Sequence, residues 1–196
     1  MPYEVTRRFE RALCDYTGSR FAVALNSCTA ALLLACQYFQ PRTTITIPTR
    51  TYVSVPCAIK SAGHDVHFVD RRWRGEYRLD PLPVWDCARR FTAEMHKPRD
   101  YLCVSFSASK ILAAEQGGAI LHDNSDADAW FRRMRFDGRT EGVDPTHDNF
   151  DLIGHHCLML PSVAATLLVR LYHLPRKNED LPEREYPDLS KHSAFQ

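Results

Sequence analysis

Tyr101-Leu-Cys-Val-Ser105-Phe-Ser-Ala-Ser-Lys110 runs on into Ile111-Leu-Ala-Ala-Glu-Gln-Gly117-Gly118-Ala-Ile120, and the reading of the chain turns on this stretch. An apolar, β-prone run carries a Ser and a Lys to its end, and a Gly-Gly pair opens a second apolar run. Lys110 therefore sits on a connection between two buried elements. A solvated loop lysine with apolar flanks is the plain alternative. The functional one is a partly desolvated amine acting as a nucleophile, which requires an anion cradle and a placed carboxylate elsewhere in the chain.

Working outward, Val5, Phe9, Leu13 and Tyr16 are spaced for one face of a helix over residues 4–17, closed by Gly18. Phe21 to Leu25 reads as a buried strand, and Ala30 to Phe39 as a core helix entered through Asn26-Ser-Cys-Thr29. Thr44 to Ile47 is a strand, residues 54–62 a helix ended by Gly63, and Val66 to Val69 a strand closing at Asp70. Strand and helix thus alternate, which predicts an α/β fold with a mostly parallel sheet flanked by helices and ligands at the carboxyl ends of the strands. Residues 71–83 form a polar, arginine-rich connection, Val84-Trp85 leads to Asp86, and the strand from Gly118 to Leu121 is placed antiparallel to a neighbour. Helices are expected over residues 126–135 and 163–174, with a polar loop over 137–152. The domain is drawn as residues 1–174, with 175–196 as an extended C-terminal tail that is either disordered or laid across another surface.

Composition narrows the function. With 196 residues, 44% of them apolar, the chain can bury one substantial core, and a net charge of +1 gives no field suited to nucleic acid or an anionic membrane. The first residues lack the apolar core of a signal peptide, and the run from Ala30 to Cys36 is too short to span a bilayer, so a cytoplasmic location is expected. The seven cysteines show no Cys-x-x-Cys spacing and read as reduced thiols. His64 and His67 would fall on opposite faces of a strand, and His155-His156-Cys157 lacks a second ligand cluster, so no metal site is assigned. Asp123 to Asp128 lacks the turn glycine and terminal glutamate of a calcium loop.

The search for a cradle and a carboxylate finds both. Ser27-Cys28-Thr29 lies between a buried strand and a buried helix, where amides and the helix dipole converge on an anion; an ordinary N-cap is the alternative. Ser105 is a second hydroxyl near the same point. Asp86, at the end of a buried strand, needs a cationic partner, which a protonated pyridine nitrogen would supply; Arg89 and Arg90 are the competing partners. Tyr52 offers a flat ring for stacking or for the core.

The order of these parts is that of pyridoxal phosphate enzymes with the aspartate aminotransferase fold, called fold type I. The sequence resembles the DegT/StrS family of sugar aminotransferases through Phe9-Glu10 with Tyr16-Thr-Gly18, Asn26-Ser-Cys-Thr-Ala-Ala-Leu32, Pro48-Thr-Arg-Thr-Tyr52, Asp86-Cys-Ala88, Ser105-Phe-x-x-x-Lys110 and Gly117-Gly118. The resemblance implies that Lys110 forms the Schiff base with the cofactor and that Asp86 binds its ring nitrogen. It further implies that Cys28, Thr29 and Ser105 bind the phosphate and that Tyr52 stacks on the ring. Arg89 stands where the family has Gln or His, and is counted with the cofactor-binding set. Family members move an amino group from glutamate or glutamine to a keto sugar on a nucleoside diphosphate, as homodimers with shared sites.

The departures also carry expectations. A helix and strand usual between Asp70 and Asp86 are reduced to a linker, and no smaller carboxyl-terminal domain follows, as in a compact variant. Gln116 stands where the family has an acidic residue, and His156 and Leu158 where it has Asn and Arg. These changes leave open a second reading, a cofactor-binding but non-catalytic relic acting as a binding or assembly protein.

Overall fold

Hydrophobic spacing sets the first helix, α1 (Glu4–Thr17), whose Phe9 and Leu13 are fully buried, and Gly18 ends it at φ 81° by donating its N–H to the Cys14 carbonyl. The computed structural model describes residues 3–195. After α1 come β1 (Phe21–Leu25), α2 (Cys28–Tyr38), β2 (Thr44–Pro48), α3 (Ser54–Ser61) and β3 (Asp65–Val69). The short β4 (Tyr77–Arg78) and β5 (Val84–Asp86) follow, then β6 (Tyr101–Ser105), β7 (Gly118–His122), α4 (Ser125–Met134) and α5 (Pro161–His173).

Helices cover both faces of the sheet, so its central strands are apolar on both sides. Along β1, Val23 and Leu25 join the cluster under α2, α3 and α4, while Ala22 and Ala24 join the one under α1 and α5. Cys103 and Ile120 divide from Leu102, Val104, Ala119 and Leu121 in the same alternation. The continuous apolar runs in the sequence are this two-sided burial.

The α/β layering is as expected, but the sheet is mixed rather than mostly parallel. Its five-stranded part has the order β1-β7-β6-β5-β4, in which only β5 and β6 pair parallel. β7 is inserted antiparallel between β1 and β6, as the return arm from the Lys110 connection, and β4 runs antiparallel to β5. β1, β5 and β6 nevertheless point the same way. β2 and β3 form a separate parallel pair.

The linker after Asp70 is what joins the two. Tyr77 pairs with Asp86 on one side, and the Asp80 carbonyl accepts from the Thr46 N–H at 2.7 Å on the other. A segment read as a polar connection is therefore a short strand seated between β5 and β2.

Residues 175–195 run along the body of the same chain. Tyr16 donates its hydroxyl to the Pro175 carbonyl at 2.5 Å, Asp180 pairs with Arg90 at 3.1 Å, and the Leu181 N–H donates to the Arg89 carbonyl at 2.9 Å. Leu189 is buried, its N–H bonded to Thr49. No helix among the described residues is long and apolar enough to cross a membrane.

Two buried polar features matter for stability. Glu10 accepts from the Ala24 N–H at 2.9 Å, from Arg135 at 2.5 Å and from Arg132 at 2.8 Å, and Arg135 also reaches Glu141 at 2.7 Å. Burial works against the Glu10 charge, but Arg135 and Arg132 outweigh it and hold the carboxyl below its usual range.

His122 is the other. Its ring stacks on Tyr101 at 5.5 Å with both nitrogens buried and without a hydrogen-bond partner among the described residues, and the Asp128 carboxylate is 3.9 Å away. Burial pushes the imidazole down from 6.5 to about 4. The unfolded chain binds this proton first as pH falls, so the stabilisation is complete above about pH 6.5 and is lost towards pH 4, up to about 3 kcal/mol. His122→Phe is expected to keep the stacking and flatten that slope in urea titrations between pH 4 and 7; an unchanged slope would assign it to other groups.

Candidate active site

The carboxyl ends of β1, β2, β5 and β6 open on one cavity of about 300 Å³. Asn26 to Thr29 enter it from the turn after β1, Thr51 and Tyr52 from the turn after β2, Asp86 and Ala88 from the end of β5, and Ser105 from the end of β6. Lys110 reaches it from the β6–β7 connection. Cys28, Thr29, Tyr52, Asp86, Arg89, Ser105 and Lys110, singled out from the sequence, all line it.

The α2 turn is shaped for an anion. Ser27 caps the helix by accepting from the Ala30 N–H at 3.1 Å, and the first intrahelical bond is Ala31 to the Ser27 carbonyl. The amides of Cys28 and Thr29 precede that bond at the positive end of the helix dipole. The Cys28 thiol donates instead to the Cys103 carbonyl at 3.6 Å, so Cys28 offers a bound anion its backbone rather than its sulfur. Thr29 Oγ1 donates to Ser54 at 2.9 Å, and Ser105 to Ser107 at 3.5 Å.

Gly118 lets the turn sit there. A Cβ at this position would lie 2.4 Å from the Cys28 nitrogen and 2.6 Å from the Ser27 oxygen, distances that force backbone to move. The Gly-Gly pair thus belongs to the site: Gly117 bridges to Ser27 and Gly118 clears space beside it.

Asp86 is 3% exposed and has no cation within salt-bridge distance among the described residues. It accepts from the Ala88 N–H at 2.9 Å and faces the hydroxyl of Tyr77, which is 2.6 Å from Thr51 Oγ1. Burial raises its pKa, with Ala88, Tyr77 and Lys110 acting in the opposite sense. This is a carboxyl whose burial calls for a cation.

Lys110 is the complementary case. A turn bond from its N–H to the Ser107 carbonyl at 2.9 Å fixes its backbone, while its amine has no hydrogen-bond or ion-pair partner among the described residues. Burial lowers its pKa; Arg89 and Arg184 add to this, and Asp86 opposes it. An amine so placed has the chemistry to act as a nucleophile or a proton carrier.

The sequence reading missed four contributors. Tyr77 and Thr51 stand behind Asp86, and the alternation of buried Tyr77 and Leu79 in the linker is the signal that could have found the first. Arg184 and Tyr186 come from the C-terminal segment. Tyr186 stacks on Trp73 at 6.1 Å and meets Tyr52 edge-on at 6.5 Å, so the exposed Tyr52 ring lies at the mouth of the cavity. Nothing periodic in the tail announces this. Arg89 sits at the border, its guanidinium donating to the Pro182 carbonyl.

A larger cavity of about 640 Å³ lies over Arg7, Glu10 and Arg132. Its Glu10 is engaged with Arg132 and its Arg7 with Glu141, and no lysine amine is among its lining residues.

The fold is shared with known enzymes. An aminotransferase of the DegT/DnrJ/EryC1/StrS type from Brucella abortus superposes with a TM-score of 0.72 at 18% identity, over 87% of this chain and 59% of that one. AtS13 from Actinomadura melliaura gives a TM-score of 0.75 at 17% identity, over 86% and 59%. Helicobacter pylori PseC, an aminotransferase involved in the biosynthesis of pseudoaminic acid, gives 0.70 at 19% identity, over 88% and 58%. The chain therefore spans less than two thirds of the length of these structures, and at such identities the likeness concerns the fold. No curated protein sequence matches. The sequence profile of the DegT/DnrJ/EryC1/StrS aminotransferase family matches residues 1–92 and 82–184, and the chain belongs to that family.

Proposed function

We propose that the chain is a pyridoxal phosphate-dependent aminotransferase that takes an amino group from glutamate or glutamine and gives it to a keto sugar carried on a nucleoside diphosphate. The observation that carries this reading is a pair of groups on one cavity, the buried Asp86 carboxyl and the Lys110 amine, neither with an ion-pair partner among the described residues. Pyridoxal phosphate is the cofactor of this family, and the donor set fits it. Asp86 answers a cationic ring nitrogen, Cys28 and Thr29 offer helix-end amides to a phosphate with the Ser105 hydroxyl beside them, and Tyr52 offers a ring face at the mouth.

When bound, pyridoxal phosphate supplies a reactive aldehyde and a ring that withdraws electrons from an attached carbon. The protein's share is placement and proton handling. Asp86 holds a proton on the ring nitrogen by presenting its charge there. Tyr77 and the Ala88 amide fix the direction of that carboxylate. Lys110 Nζ, biased by burial towards its neutral form, accepts a proton from the donor carbon and returns one on the acceptor side. Tyr186 and Trp73 narrow the mouth and limit water.

A homodimer belongs to the same reading. Val169 and Tyr172, three residues apart on α5, are 60% and 79% exposed, apolar side chains that a second copy would cover. Sedimentation would then give a dimer mass, and a monomer mass at working concentration would remove this part.

The test of the reaction is a half-reaction. Protein loaded with pyridoxal phosphate and given glutamate or glutamine is expected to lose its visible absorption band and release one equivalent of the oxo acid per chain. Retention of the band with both donors would leave the non-catalytic reading in its place.

A further inference from the structure

A groove of about 600 Å³ adjoins the candidate active site, and its wall carries Arg50, Arg71, Arg72, Arg74, Arg89 and Arg184. Trp73, Arg89, Arg184 and Tyr186 line both spaces, so the groove continues the cavity outward. We propose that this groove binds the diphosphate of the acceptor substrate, with Arg72, Arg74 and Arg184 as its principal contacts. The proposal rests on the aminotransferase reading for the identity of the ligand, and on the groove alone for its anionic chemistry.

The charge pattern carries it. Arg71 alone of the six has a carboxylate within salt-bridge reach among the described residues, Asp80 at 3.4 Å. Arg50 donates to the Tyr186 carbonyl at 3.1 Å and Arg89 to that of Pro182, which positions them without neutralising them. Arg72, Arg74 and Arg184 have no hydrogen-bonded side-chain partner among the described residues. The groove's own carboxylates, Asp70, Glu183 and Glu185, form no ion pair with them. Like charges gathered on one concave wall repel one another, and a ligand with several acceptor oxygens relieves that repulsion while using the forked guanidinium donors.

Shape and balance select among anions. The chain as a whole has a net charge of +1, so the positive field is local, which suits a small polyanion rather than a nucleic acid. The stacked Trp73 and Tyr186 rings, 15° from parallel, make a firm wall where groove and cavity meet. A sugar held at Lys110 would trail its phosphates past this wall. Arg72 and Arg74 come from the linker after β3 and Arg184 from the C-terminal segment, and none of the three is in the cofactor set named from the sequence.

Isothermal titration of protein equilibrated with excess pyridoxal phosphate, with inorganic pyrophosphate and uridine diphosphate as probes, tests the proposal. Arg72→Ala/Arg74→Ala is compared with Arg8→Ala/Arg11→Ala, an equal loss of charge on an exposed face of α1. The expected result is that both probes bind, that the groove variant weakens them by about tenfold or more, and that the α1 variant does not. Equal affinities in the two variants, no binding of either probe, or binding of uridine diphosphate without pyrophosphate would overturn it. Cofactor loading is followed separately by absorbance, so a protein that binds pyrophosphate through Arg72 and Arg74 but takes up no cofactor would sink the aminotransferase reading and leave the groove standing.

Discussion

Lys110→Ala is expected to slow the donor half-reaction by roughly 10²–10⁴-fold, the range for loss of a positioned acid–base group. The size follows from the setting: a half-buried amine on the cavity, without a hydrogen-bond or ion-pair partner among the described residues, whose burial favours the form that can accept a proton. Asp86, the α2 turn and Tyr52 remain in the variant, so cofactor uptake measured by fluorescence is expected to weaken but persist. Lys110→Arg should be equally inactive, because a guanidinium stays protonated at any working pH. A rate within tenfold of the parent for either variant would assign the proton transfer to another group.

The largest effect on stability is expected from Glu10→Ala, at about 3–5 kcal/mol, the range for breaking a buried ion pair by removing one partner. Arg135 is 1% exposed and would keep Glu141 as its one carboxylate partner among the described residues, and the Ala24 N–H in β1 would lose its acceptor. Glu10→Gln retains an acceptor for Ala24 and should cost less, which separates the charge from the hydrogen bond. The midpoint of a denaturant titration reads both. A loss under about 1 kcal/mol for the alanine variant would mean that water replaces the carboxylate, as at exposed pairs.

Elements with a repeated apolar spacing were legible in the sequence. α1 follows from Val5, Phe9, Leu13 and Tyr16 with Gly18 behind them, and the helix expected over residues 163–174 is α5, begun two residues earlier by Pro161. Continuous apolar runs identified β1, β6 and β7, because helices on both faces remove the need for polar alternation. Pairing direction was less accessible. β7 lies between β1 and β6, and nothing in Gly118 to His122 states which strands it will meet.

The site divides along similar lines. Residues at strand ends, Asp86, Ser105 and the Ser27 turn, could be found because a polar residue closing an apolar run marks the end where ligands gather. Tyr77 could not be placed behind Asp86 without the register of a two-residue strand among arginines. Arg184 and Tyr186 were hidden for another reason. Their segment is held by backbone carbonyls of Thr49 and Arg89 and by stacking on Trp73, contacts between distant parts of the chain that leave no local pattern.

Attachment of the cofactor at Lys110 is the claim on which the rest depends, and chemical trapping tests it most directly. Protein equilibrated with pyridoxal phosphate, reduced with borohydride and digested is predicted to carry one cofactor equivalent, on the peptide containing Lys110. Absence of the adduct, or its spread over Lys60, Lys97, Lys177 and Lys191, would contradict the account.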